Sequence, residues 1–423
     1  MLTFHQGLLT AFAVLVLATP GCVSRRTSCA PPQLMRTSGL VPVNPPPGEE
    51  TTVIDTDMVR SLADKLRTAH AIDPNAPRKN ASVLALSGGG AYGAYTVGVL
   101  SGWTAAGNRP EFDIVSGVST GALIGTYAFL GSAYDRRMVE IYTTLTDRDV
   151  FRRRLATSFV FSDSLASSAP LKRLIESEVT PEILAEVAKA HSCGRRFYVG
   201  TTNLGTKRLV IWDMGAIASS GRPDALELYR KVLLASAAVP SLLPPVEFDV
   251  TINGQRFKEL HADGGATTGV FLRASMLHVN QDHLKAGHNP LLGSNAYVIV
   301  AGKLYADPSC PDRRTFKIGE SSLQALLYSQ TRSELFRIYT LCLLGGMKFH
   351  LTSVPEEMPL GKESMTFNPA EMQKLYRAGY VAATGGMLWR DTPPGAEPHE
   401  QTVPRSGNDF YAPGASALPP AAP

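Results

Sequence analysis

A three-layer α/β/α fold with a mostly parallel central sheet is the fold class that this 423-residue sequence predicts. Three observations carry the prediction. Short apolar runs alternate with segments of helical period from residue 81 onward, the pattern left by helices crossing over between parallel strands. Two of the runs, Val83–Leu86 and Phe112–Val115, each end in a glycine-rich turn that opens a helix, a place where missing side chains let backbones approach closely. The chain is 44% hydrophobic and 18% charged, a globular composition long enough for one large domain with an appendage.

Leu8–Leu17 is an apolar run too short to span a bilayer and suited to a signal h-region, so residues 1–21 read as a signal peptide. Cys22 follows Thr19-Pro20-Gly21, and a small residue then Cys after such a run resembles a bacterial lipoprotein cleavage site. Two features depart from that pattern: residues 1–7 hold no Lys or Arg, and Thr19 stands where Leu or Val is usual. The expectation is export, with lipid on Cys22 anchoring the chain to a membrane surface. Val23 in place of Asp after the cysteine favours the outer membrane, a periplasmic protein being the other outcome. Residues 22–52 are Pro- and Ser-rich and read as a flexible tether. In 53–80, Val53, Ile54, Met58, Val59, Leu62 and Leu66 outline one amphipathic helix and its lead-in.

Within a core set at 81–275, helices are expected over Ala122–Leu130, Tyr134–Val150, Leu171–Ala190 and Ala225–Ala238, the last stopped by Pro240. Phe197–Thr202 and Leu209–Trp212 read as strands. A largely helical C-terminal part, 276–391, is expected to pack on that core. It holds a strand at Asn295–Ala301 and a long helix at Ser321–Leu344 whose leucines read as a core stripe, with an acyl pocket or membrane-docking surface as the other reading. Residues 392–423 form a Pro- and Ala-rich tail expected to be disordered.

Three motifs carry chemistry. Gly117-Val118-Ser119-Thr120-Gly121 places a serine between glycines on a strand-to-helix turn, the form of a nucleophile elbow, although any close-packed turn of this kind favours small residues. Gly88-Gly89-Gly90-Ala91-Tyr92-Gly93 opens the preceding helix and presents unobstructed N–H groups to an anion, as an oxyanion hole requires. Gly88, Gly90 and Gly93 also satisfy a dinucleotide fingerprint, but that reading wants an acidic residue near the end of the second strand, and Asp113 lies at its start. Downstream, Asp263-Gly264-Gly265 leaves a carboxylate uncrowded at a turn.

In this order the three motifs resemble the patatin-like phospholipase family, over roughly Ala81 to Val270. The resemblance also takes in Pro170-Leu171, the strand Arg196–Leu204 and the segment Leu234–Pro240. It implies Ser119 as nucleophile, Asp263 as the base of a Ser–Asp dyad and Gly88, Gly89, Gly90 and Gly93 as the oxyanion turn. Gly117, Gly121, Gly264, His261 and Tyr92 would stand just behind them. It further implies an acyl hydrolase acting on phospholipids, lysophospholipids or related lipids through an acyl-enzyme. Tyr92 departs from the Arg or Lys that many members carry, which leaves head-group preference open. The competing class is a non-catalytic exported binding module on the same fold.

The remaining residues limit the alternatives. A net charge of +4 with no basic run gives no reason to expect nucleic acid. No Cys/His spacing suits zinc and no acidic cluster suits calcium, so neither metal nor organic cofactor is expected. Besides Cys22, Cys29, Cys193, Cys310 and Cys342 allow three full pairings, with Cys342 in the apolar helix better read as a small buried residue. A Ser…Asp…His triad would need His278, His283, His288 or His350, none in a recognisable motif. His261, two residues before Asp263 on a strand, shares its face and is read as a supporting residue rather than the base.

Overall fold

The computed structural model describes residues 29, 39–41, 80–154, 163–252, 254–273, 291–307, 313–360, 364–386 and 389–396. The signal segment, Cys22, the helix outlined by Val53 to Leu66 and most of the tether and tail therefore lie outside the described residues.

The elements open with β1 (Gly39–Val41), β2 (Ser82–Leu86), α1 (Gly93–Ala105), β3 (Ile114–Val118) and α2 (Thr120–Leu130). Next come α3 (Asp135–Thr144), α4 (Asp147–Val150), the short strands β4 (Arg152–Arg153) and β5 (Ala166–Ser167), α5 (Ala169–Glu178) and α6 (Pro181–Ser192). The middle of the chain holds β6 (Arg196–Asn203), β7 (Arg208–Asp213), α7 (Met214–Ala218), α8 (Ala225–Ser236), β8 (Val246–Ile252) and β9 (Gln255–Asp263). The last elements are β10 (Asn295–Val300), α9 (Thr315–Gly345), β11 (Lys348–Ser353) and α10 (Pro369–Thr384).

The main sheet runs β1-β7-β6-β3-β2-β10-β11, with β9 also on β6 and β8 on β9. Strands β11, β10, β2, β3 and β6 are parallel; β6 pairs antiparallel with β7 and β9, and β8 with β9. The sheet is thus mixed, its parallel half carrying both glycine turns. Side chains alternate across it as the strand period requires. Leu84 and Leu86 face one core with α1, α2 and α8, while Val83 and Ala85 face a second core with the later half of α9. Three layers result.

Four expectations change. Residues 39–41, placed in the tether, pair with β7 as an edge strand, giving partners to backbone groups that would otherwise lie open. The C-terminal part is less separate than expected, because β10 and β11 complete the sheet beside β2. The long helix is a core helix only in its second half: Leu335, Ile338, Leu341 and Cys342 are buried, but Leu323, Leu326 and Leu344 are exposed. Cys29, Cys193 and Cys342 are free thiols, so no full pairing of the four forms; Cys310 lies outside the described residues.

Helix α10, which no motif announced, docks on α1 at close range. A Cβ on Gly98 would lie 2.1 Å from the Tyr376 carbonyl oxygen, and one on Gly379 2.4 Å from that of Tyr95. Small residues on both helices bring the backbones together and fix the chain that leads into α10.

Candidate active site

The topology brings Ser119 and Asp263 together along one edge of β6. Val118, the last residue of β3, sits opposite Gly200, and Asp263, the last residue of β9, sits opposite Thr201. Strand β9 thus takes over the edge of β6 where β3 leaves it, and its carboxylate arrives where the chain turns into α2.

Ser119 occupies that turn with φ 54° and ψ −125°, a region that non-glycine residues avoid at a cost of about 1–3 kcal/mol. Surrounding structure holds it there. Its N–H donates to Ser236 Oγ at 3.0 Å, and Ser236 Oγ donates to the Gly200 carbonyl at 2.7 Å. The flanking glycines have a physical reason. A Cβ on Gly117 would lie 2.3 Å from the Gly121 carbonyl oxygen, and one on Gly121 would lie 2.6 Å from those of Leu86 and Ser87. Strands β2 and β3 and helix α2 pack backbone to backbone there.

Asp263 is 5% exposed and its backbone is pinned, its N–H donating to the Ala238 carbonyl at 2.8 Å. The carboxylate accepts from Gly265 N–H at 2.7 Å, and the Ser119 hydroxyl beside it favours the ionised form. Burial pushes its carboxyl up to about 6, against the Ser119 hydroxyl and the Gly265 N–H, which pull it down. Gly264 passes close to β6, a Cβ there falling 2.5 Å from the Gly200 carbonyl oxygen.

The first glycine turn lies against the serine: a Cβ on Gly88 would be 3.2 Å from Ser119 Cβ. Its donors are not equivalent. Gly88 N–H donates to the Gly269 carbonyl at 3.0 Å, and Gly93 N–H is directed back at the carbonyls of Gly90 and Ala91. Among the described residues no acceptor is found for the N–H of Gly89 or Gly90. The expected four-glycine cradle narrows to two donors, because the others hold the turn itself. Gly90 adopts φ 54°, and a Cβ there would meet the Ser364 carbonyl oxygen at 2.4 Å.

Ser119 and Gly90 open onto a cavity lined mainly by Leu, Ile, Val, Met and Phe side chains. Two of its walls, Met365 and Phe367, come from the segment before α10, which also accepts Ala91 N–H on the Ser364 carbonyl at 2.8 Å. Sequence reasoning missed these residues and Ser236. No motif signals the former, whereas Ser236 lies inside the Leu234–Pro240 segment that had drawn notice.

His261 is fully buried, its Nδ1 2.9 Å from Thr201 Oγ1 and its Nε2 3.3 Å from Glu259. Tyr92 lines a separate cleft with Met358 and Leu375, and burial first, then Tyr328 and Asp307, raises its phenol to about 12. His350 lies on β11, stacked on Tyr297; His278, His283 and His288 fall outside the described residues.

Residues 84–274 match the family "Patatin-like phospholipase". Over 188 residues the chain is 29% identical to a cUMP-AMP-activated phospholipase of Escherichia coli, which covers 43% of this chain. The chain spans about half of that relative, 54% of its length. Among solved structures it is similar to VipD from Legionella pneumophila, at 14% identity and TM-score 0.33, over 72% of this chain and 66% of that one. It is also similar to the type III effector protein ExoU, at 13% identity and TM-score 0.34, over 73% of this chain and 52% of that one.

Proposed function

We propose that the chain, whose residues 84–274 match the patatin-like phospholipase family, is a lipid acyl hydrolase working through Ser119 and Asp263. One observation carries the reading: a serine on a strained elbow, beside a buried carboxylate, at the mouth of an apolar cavity. Ser119 Oγ attacks the ester carbonyl carbon, and Asp263 takes the hydroxyl proton. The unengaged N–H groups of Gly89 and Gly90 receive the oxyanion, in the kind of contact worth roughly 2.7–4 kcal/mol per donor. Collapse releases the alcohol, which takes up the proton, and leaves the acyl group on Ser119. Water, deprotonated by Asp263, then attacks the acyl carbonyl, and the Oγ–carbonyl bond breaks as Ser119 takes the proton back from Asp263, freeing the fatty acid.

Asp263 suits the base's task better than an ordinary aspartate would, since a carboxyl held near 6 binds a proton more firmly at working pH. The substrate class proposed is a phospholipid, lysophospholipid or related fatty-acyl ester. The test is fatty-acid release from defined phospholipids, lysophospholipids and short p-nitrophenyl esters. Ser119→Ala and Asp263→Asn should each lower turnover by at least about a thousandfold. Retained turnover in either variant would remove that residue from the mechanism.

Export by residues 1–21 and lipid attachment at Cys22 belong to the same proposal, supported by the sequence pattern alone. Mass spectrometry of the mature N-terminus tests it: an acylated Cys22 is expected, and an uncleaved Met1 would rule it out.

A further inference from the structure

The cavity that opens at Ser119 follows one face of α2. Thr120, Leu123 and Tyr127 all line it, and they share a face of that helix by their spacing. From Thr120 to Tyr127 the helix advances about 11 Å. At the Tyr127 end the lining holds its one carboxylate, Glu178, the last residue of α5.

Glu178 is clamped. The Tyr127 hydroxyl donates to Glu178 Oε2 at 2.7 Å and Arg137 Nε donates to the same oxygen at 2.9 Å. A second Arg137 nitrogen donates to Oε1. The Glu178 side chain is 11% exposed and that of Arg137 51%, so the ion pair reaches from the cavity to the surface. Glu178, Ile141, Leu145 and Leu174 also line an outer groove among Arg148, Asp149 and Arg173. They form the wall between an apolar interior and a charged exterior.

An alkyl tail gains from each methylene it buries, but nothing repays it for displacing a carboxylate from its donors. We infer that the Tyr127–Glu178–Arg137 clasp closes the acyl pocket and limits it to chains of about ten carbons, since about 11 Å takes nine extended bonds at about 1.2 Å each. The inference rests on the acyl-hydrolase reading for calling the cavity an acyl pocket, and it names the substrate class as medium-chain esters.

The experiment is equilibrium binding of saturated fatty acids of six to sixteen carbons to the intact chain, read by displacement of a fluorescently labelled octanoic acid. Affinity should rise about fourfold per methylene up to about ten carbons and then level. In Glu178→Ala the rise should continue past twelve carbons, and in Leu123→Phe, which narrows the middle of the pocket, the break should move to shorter chains. An unbroken rise to sixteen carbons, a break that neither variant moves, or no binding at any length overturns the inference. Ester cleavage measured beside it keeps the two readings separate. A break near ten carbons with no ester cleaved would leave the pocket and remove the hydrolase. Decanoyl and hexadecanoyl esters cleaved at equal kcat/KM would leave the hydrolase and remove the limit.

Discussion

Asp263 accepts a proton only when ionised, and burial holds its carboxyl at about 6. The kcat/KM for a soluble ester should therefore climb through pH 6, about tenfold per unit well below it, and level above pH 7. A profile flat between pH 4.5 and 7.5 would contradict the role. The same shift has a stability consequence of opposite sense. A carboxyl whose folded pKa is raised favours folding in its neutral form, so its contribution is present below pH 3.8 and lost as pH rises through about 6. At pH 8 the native chain holds a buried charge at a cost of up to about 3 kcal/mol. Asp263→Asn should raise the denaturation midpoint at pH 8, with the gain gone by pH 4, whereas an equal midpoint at both pH values would show no buried penalty. Ser119 and Asp263 stand out in the sequence because each sits in a short motif whose glycines answer to local backbone contacts. Their closeness does not, since 144 positions separate them and only the β6 register joins them.

At the scale of elements, the elbow is a contact of three backbones, and Gly121 is one of its tight joints. Gly121→Ala sets a Cβ 2.6 Å from two carbonyl oxygens, which should cost about 1–3 kcal/mol and, by displacing Ser119, lower kcat about a hundredfold. Unfolding curves and turnover on the same sample check both; an unchanged kcat would mean that the elbow tolerates the shift. Most elements were legible from period and punctuation: Pro240 lies just past α8, and Pro181 splits the run expected over Leu171–Ala190 into α5 and α6. Helix α9 shows where period fails. Leu323 and Leu326 carry the same helical spacing as Leu335 and Ile338, yet only the second pair meets the sheet. Spacing defines a face; it does not say whether a partner covers it.

For the whole molecule, the family match ends at residue 274, but the site does not. Met365 and Phe367 wall the cavity, Ser364 braces the glycine turn, and the α1–α10 crossing holds that segment in place. Gly379→Val would force that crossing apart at about 1–3 kcal/mol, and a chain ending at residue 360 would lack the wall altogether. Both should lose esterase activity, the second entirely; full turnover by residues 80–360 would show that the later segment is dispensable. None of this was legible in the sequence, because a crossing built from Gly98, Gly102 and Gly379 has no fixed spacing and segment 364–367 carries no motif. The motifs of the core could be read early, since they lie in local turns, and the later walls of the cavity could not, since they depend on distant packing.

The central claim is that Asp263 activates Ser119. The most direct measurement is labelling of the intact chain by a serine-directed fluorophosphonate, with the modified peptide sequenced by mass spectrometry. The account predicts adduct on Ser119 alone, at a rate that rises through pH 6 and falls at least about a hundredfold in Asp263→Asn. Adduct on another serine, or labelling of Ser119 that neither pH nor the Asp263 substitution alters, would contradict it.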